Sequence, residues 1–273
     1  MEGHGSVARL LGYRVMPSAV EPGGMVEVTL YWQALARTDR NLAIFVHLLS
    51  EVGTMIAQRD TYPGLGRYPT TVWEAGVVFA DTYRVYVPET AYAPDAGQVQ
   101  VGVYLPDGPR LVTSDGHDAF PLTSVEIRPR AHGWPNPLEV NFGRQAALVG
   151  YAMDRRVAQP GETIRLTLYW RALAPMETDY GVFAHVLGVE NQVWANGDSQ
   201  PAGGAAPTST WQVGQVVEDV HELTVGLTTP PDFYDVEIGL CAPDGERLPV
   251  VAEDGHLLGD RVLLSKVRVT EGE

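Results

Sequence analysis

The chain repeats itself, and this constrains its fold more than any other feature. The stretch LLGYRVMPSAVEPGGMVEVTLYWQALA from Leu10 returns as ALVGYAMDRRVAQPGETIRLTLYWRALA from Ala147, which sets Tyr31-Trp32 on Tyr169-Trp170, 138 residues further on. The register then continues without a gap. Phe45 and His47 fall on Phe183 and His185, Asp60 on Asp198, Pro69-Thr70 on Pro207-Thr208, Trp73 on Trp211 and Asp81 on Asp219. About 24 of about 70 aligned positions are identical, more than shared composition produces. Later, Pro106-Asp107-Gly108 matches Pro243-Asp244-Gly245, and Asp115-Gly116-His117 matches Asp254-Gly255-His256, after small length adjustments.

A tandem duplication in 273 residues predicts two domains of ordinary size. The expected boundaries are 1–129 for the first repeat, 130–137 for a linker and 138–273 for the second repeat. The linker, Arg130-Ala131-His132-Gly133-Trp134-Pro135-Asn136-Pro137, carries two prolines that remove amide donors and stiffen it. Trp134 is expected to wedge between the repeats.

Within each copy the apolar period is two, which predicts strands and no substantial helix. From Met25 to Gln33 one face carries Val26, Val28, Leu30 and Trp32, and the other Glu27, Thr29, Tyr31 and Gln33. The second copy repeats this with Ile164, Leu166, Leu168 and Trp170 against Arg165, Thr167, Tyr169 and Arg171. That is the pattern of a half-buried antiparallel strand. Ala43 to Leu49 is apolar on both faces, which predicts a central strand carrying Phe45, His47 and Leu49 on one side. Further strands are expected near 82–87, 99–105 and 125–128, and near 222–225, 236–241 and 261–269. Pro22-Gly23, Pro160-Gly161 and the two Pro-Asp-Gly triplets read as turns. Short strands with regular turn signals predict an all-β chain of two tandem immunoglobulin/fibronectin-III-like antiparallel β-sandwiches.

The 34 acidic against 19 basic residues give a formal charge of -15, the wrong sign for a nucleic-acid binder or a polybasic membrane-surface protein. The single cysteine, Cys241, excludes an intramolecular disulfide framework and a thiolate zinc cluster. The first 20 residues lack the basic start and apolar stretch of a signal peptide, and no run of about 18 apolar residues occurs, so no membrane-spanning segment is expected. An excised ectodomain would look the same.

The ordered residues GY, PG, L-LYW-A-A, F-H-L, D, PT, W, G and D, followed by P-DG-RL, resemble the β-sandwich repeat at the extracytoplasmic ends of bacterial membrane glycosyltransferase-like proteins. The likeness covers nearly the whole chain, twice. More loosely, the layout is similar to the carbohydrate-binding domain of O-antigen ABC transporters. The first resemblance implies a noncatalytic, extracytoplasmic accessory module and supplies no ligand; the expected partner is a protein surface or a cell-surface glycan. The second copy is preceded by Val140-Asn141-Phe142-Gly143, whereas the first begins almost directly at Leu10. The expectation is an excised piece of a longer protein with an incomplete opening strand. Oligomeric state is not encoded.

No enzyme signature emerges. Gly64-Leu65-Gly66-Arg67-Tyr68-Pro69 begins like a dinucleotide fingerprint but ends in proline with no helix to receive a phosphate, and His221-Glu222 lacks the second histidine of a zincin helix. His47 and His185 sit in apolar strands, where a structural tie to Asp60 or Asp81 fits better than a metal site, which would need all three brought together. No metal or cofactor is expected; calcium at Asp107, Asp115 and Asp118 is a weaker reading than solvated turns. The loop from Asp60 to Trp73 keeps its length in Asp198 to Trp211. Trp73, Tyr68, Tyr62 and Asp60 supply the aromatic and carboxylate types of a sugar platform, the alternative function being recognition of a cell-surface glycan. The competing expectation is that Trp73 and Trp211 simply pin the loop. Gln200 and Ala206 replace the two tyrosines, so any glycan site belongs to the first copy.

Overall fold

A computed structural model describes residues 6–272. The chain is all-β: its helical pieces, among the described residues, are 3-10 turns of three or four residues. No helix there is long and apolar enough to cross a membrane. Contacts divide the chain into two compact units, one running to Glu89 and resuming at Ala93–Arg128, the other comprising Thr90–Tyr92 and the chain from Pro129.

The first unit holds β1 (Ala8–Met16), β2 (Ala19–Val20), β3 (Met25–Ala34), β4 (Ala43–Leu49), β5 (Met55–Thr61), β6 (Val78–Tyr86), β7 (Asp95–Tyr104) and β8 (Phe120–Ile127). They form a three-stranded sheet, β1-β3-β6, and a five-stranded sheet, β2-β8-β7-β4-β5. The second unit holds β9 (Val140–Phe142), β10 (Ala146–Met153), β11 (Val157–Ala158), β12 (Thr163–Ala172), β13 (Gly181–Leu187), β14 (Val193–Asn196), β15 (Val216–Thr224), β16 (Asp232–Cys241), β17 (Val250–Val251), β18 (Leu257–Gly259), β19 (Val262–Leu263) and β20 (Val267–Val269). One of its sheets runs β15-β12-β10-β9-β17-β18 and the other β11-β20-β16-β13-β14, with β19 also on β16.

Alternation decides which side chains enter each core. In β3, Val26, Val28, Leu30 and Trp32 are buried while Tyr31 is exposed, and in β12 Ile164, Leu166, Leu168 and Trp170 are buried. The second unit's residues form one contiguous apolar cluster with Val182, Ala184 and Val186 of β13 and Val236, Ile238 and Leu240 of β16, from the other sheet. Register is matched between the units. Leu10 pairs Trp32 and Leu148 pairs Trp170, and each first strand then slips by a bulge, before Gly12 in one and Gly150 in the other.

Pairing is not wholly antiparallel. β2 runs parallel to β8, and β11 to β20, because the chain leaves one sheet after β1 or β10 and enters the other without reversing. The segment 130–137 also differs from the expected linker. Tyr151 N–H donates to Pro135 O at 3.0 Å, Asn136 Nδ2 donates to Tyr151 O at 3.0 Å, and Trp134 stacks on Tyr169 with ring centres 5.0 Å apart. Proline removes an amide donor but keeps its carbonyl, which is what Tyr151 uses, so the stretch packs as part of the second unit.

Candidate functional site

The repeated loop between β5 and β6, and its equivalent between β14 and β15, is built around a buried carboxylate. Asp81 lies on β6 opposite Leu30, and Asp219 on β15 opposite Leu168, so both point inward among apolar neighbours. A buried charge must find donors. Gly64 N–H donates to Asp81 at 3.0 Å and Ala202 N–H to Asp219 at 2.8 Å, each from a turn whose residues take positive φ, including the non-glycines Leu65 and Ala202. The carboxylate thus holds a backbone conformation that an L-residue adopts reluctantly.

The remaining partners differ. Tyr83 Oη donates to Asp81 at 2.5 Å, and burial together with that carboxylate pushes the phenol's pKa up. At the matching position His221 sets Nε2 2.7 Å from Asp219 and Nδ1 2.7 Å from Gly197 O. Burial opposes charging His221, but the Asp219 hydrogen bond and charge outweigh it and the pKa is raised. Both ring nitrogens face acceptors, the arrangement an imidazolium satisfies. Trp170 Nε1 adds a third contact to Asp219 at 3.2 Å, whereas Trp32 Nε1 is buried without a partner.

The loop's other repeated residues close on themselves. Trp73 is 2% exposed, and its Nε1 donates to Tyr68 O at 3.0 Å; Trp211 does the same to Ala206 O at 2.9 Å. Thr70 accepts from Leu42 N–H and donates to Arg40 O, and Thr208 accepts from Tyr180 N–H and donates to Thr178 O. Trp73 therefore has no face to offer a sugar, which removes it from the expected platform. Tyr68 packs edge-on against Phe79 at 5.0 Å and lies 6.2 Å from Trp73. Tyr62 is 39% exposed and stands apart from that group, and Asp60 is engaged with His47.

On the outer side of the other sheet, the central strands bury a second set of side chains. Arg110 lies over the Phe45 ring at 4.3 Å, and Arg247 over Phe183 at 4.0 Å. Opposite each phenylalanine stands a glycine, Gly102 or Gly239, where a Cβ would come within 2.2 Å of the ring. The hairpin extension after β7 or β16 thus folds back over the sheet and buries its outer face. His47 reaches Asp60 with Nε2 at 3.1 Å, and burial, opposed by Asp60, lowers its pKa. Asp81 takes no part in this site.

His185 makes more contacts. Its Nε2 lies 2.9 Å from Asp198 and its Nδ1 3.0 Å from Glu237. Glu237, almost wholly buried, also receives Arg247 at 3.0 Å and Arg261 at 3.1 Å; burial raises its pKa, but the hydrogen bonds with His185, Arg261 and Arg247 outweigh it and the pKa is lowered. Gln100 occupies the matching place in the first unit, opposite His47. Sequence reasoning missed Glu237, Arg110, Arg247, Arg261 and the Asp219–His221 pair. A signal existed for the two hairpin arginines, since Gly108-Pro109-Arg110-Leu111 recurs as Gly245-Glu246-Arg247-Leu248.

Among the described residues, no group of three or more His, Cys, Asp or Glu side chains is arranged to hold a metal ion. In the acidic loop Asp118 pairs with Arg110 at 3.2 Å, and Asp115 faces Thr113 and His117; the Thr113 hydrogen bond lowers the Asp115 pKa. Asp107 borders a shallow depression of about 360 Å³ with Arg40, Asn41, Tyr62, Leu105 and Pro106. No family model matches the chain, and no curated protein matches it.

Proposed function

We propose that the chain is a noncatalytic accessory or structural module, built from two duplicated sandwiches of the immunoglobulin/fibronectin-III kind and displayed outside the cytoplasm as part of a cell-surface protein. One observation carries this reading. The histidine–carboxylate pairs close on the protein itself: His47 on Asp60 and His185 on Asp198 at matched positions, with His185 also on Glu237 and His221 on Asp219 in the second unit alone. A catalytic group must instead present a free atom to a substrate. The extracytoplasmic placement rests on the resemblance of the repeated motifs alone. The test is a glycan array and a panel of glycoside and ester substrates offered to the intact chain. No turnover and no saturable binding are expected, and turnover abolished by His185→Gln or Asp60→Asn would overturn the reading.

A second reading, weak recognition of a cell-surface glycan, is favoured by the depression beside Tyr62. Tyr62 lines it together with Arg40, Asn41 and Asp107, residue types suited to a sugar, and Gln200 replaces the tyrosine in the second unit. Affinity on such an open surface would be roughly micromolar to millimolar. Binding lost in Tyr62→Ala with the melting temperature unchanged would establish it, and Tyr62→Ala without effect would end it.

A further inference from the structure

In the second unit the edge strand β15 meets the other sheet along one seam, and a histidine stands in it. Across the seam lies the stretch 197–202, which follows β14 and is tied to β13. Gly197 N–H donates to Ala184 O at 2.9 Å, and Ser199 and Val182 exchange both backbone hydrogen bonds. The fit is close. A Cβ on Gly197 would lie 2.8 Å from Leu223 Cδ2 and 3.1 Å from Glu222 O, both on β15. Hydrogen bonds join the two banks: Ala202 N–H to Asp219 at 2.8 Å, Gly226 N–H, just after β15, to Trp194 O at 2.9 Å, and His221 Nδ1 with Gly197 O at 2.7 Å.

His221 is caught between two oxygens that only accept. Its Nε2 lies 2.7 Å from the Asp219 carboxylate, which also takes Trp170 Nε1 and Ala202 N–H. The Asp198 charge acts on it from the far bank, where Asp198 itself pairs with His185. The side chains of His221 and Asp219 are wholly buried, so solvent cannot replace a lost partner. An imidazolium donates from both nitrogens, whereas a neutral ring has one N–H and turns a lone pair toward one of the two oxygens. Ser199 Oγ, 3.3 Å from Nδ1, can donate to a neutral ring, but Gly197 O then loses its donor across the seam. In the first unit Tyr83 stands at the matching position, donates one hydrogen bond to Asp81, and is kept protonated by burial and that carboxylate.

We propose that His221 is a proton-operated latch on this seam: its imidazolium bridges Asp219 of β15 to Gly197 O, and loss of the proton lets β15 part from the stretch 197–202. The second unit thereby responds to pH at one edge, while the first, with a phenol in that place, does not. The latch is independent of the accessory-module reading, which a failure here would leave standing.

The test is amide exchange of the full chain, followed residue by residue by NMR and expressed as protection factors so that base catalysis of exchange cancels. From about pH 6 to about pH 9 the amides that bond across the seam, Ala202 and Gly226, are expected to lose about tenfold in protection. Those of Gly197 and Ser199, bonded to β13, are expected to change by less than about twofold, as is that of Gly64 on Asp81 in the first unit. The nitrogen chemical shifts of His221 should report a proton on both ring atoms at about pH 6. His221→Tyr, which copies the first unit, is expected to abolish the pH dependence, and His221→Gln asks the same question should the tyrosine prevent folding. Protection at Ala202 and Gly226 that stays flat, that falls equally in either variant, or that falls together with Gly197 and Ser199 would overturn the proposal. So would a neutral ring at about pH 6.

Discussion

Two buried aspartates hold the same turn in the two units with different chemistry around them. Asp81 is answered by a neutral phenol and a backbone amide, and Asp219 by a backbone amide, an indole and an imidazole whose pKa is raised. The lesson is that the same turn can be fixed at matched positions while the charge balance around the carboxylate differs. In the second unit the carboxylate faces an imidazole whose charged form it favours; in the first it is served by neutral donors.

The largest break in that comparison is expected at the carboxylates. Asp219→Ala leaves an imidazole, an indole and an amide without their acceptor and should destabilise by about 3–5 kcal/mol. Asp81→Ala strands only neutral donors and should cost about 1–3 kcal/mol. Guanidinium melts of the full chain, compared at unchanged slope, measure both. Equal losses would show that the imidazole carries no charge in the folded state.

Next come the two core tryptophans. Trp170→Ala should cost about 3–5 kcal/mol, and Trp32→Ala less, by about 1 kcal/mol or more, because Trp32 lacks both an indole acceptor and the facing phenylalanine. The same melts decide it.

The histidines sharpen the comparison through pH, and with opposite signs. His221 has a folded pKa above its ordinary 6.5, so its contribution is fully present below that value and is lost as pH rises through the raised one. His47 has a folded pKa below 6.5, so its contribution is present above 6.5 and is lost as pH falls through the lowered one. Acidification should therefore weaken the first unit and strengthen the second. His47→Gln should flatten the acid limb of the midpoint against pH, and His221→Tyr, which copies the first unit, the alkaline limb. A limb unchanged by its own substitution would refute the assignment.

The smallest effect is expected on the outer faces. Tyr31→Ala should change stability by under about 1 kcal/mol, and Tyr169→Ala by about 0.5–1.5 kcal/mol more, since only Tyr169 carries a stacked tryptophan. Calorimetry of the pair resolves a difference of that size.

Much of this was legible in sequence, for a physical reason. The inward faces of β3 and β12 could be read because one buried face imposes a period of two. Ala43 to Leu49 read as central, and it is, between β5 and β7. What makes its outer face apolar was not legible: Arg110 covers Phe45 from a loop some 65 positions away, and no periodicity spans that gap. The loop's fixed length was visible, but its cause was not, because Asp81 looks like any other polar residue of an alternating strand until its partners are known. At 130–137 the prolines read as a stiffened linker because they remove donors, and the contact that Pro135 makes through its retained carbonyl was not legible.

Glu237 ties three separate pieces of the second unit to one carboxylate: His185 on β13, Arg247 just after β16 and Arg261 just before β19. Fasteners at separate points let a flap peel away stepwise, whereas fasteners sharing one anion fail together. The two ends of the stretch from Arg247 to Arg261 hang on that one anion while β17 between them pairs with β9, so both ends should loosen together when the carboxylate is removed, ahead of its middle.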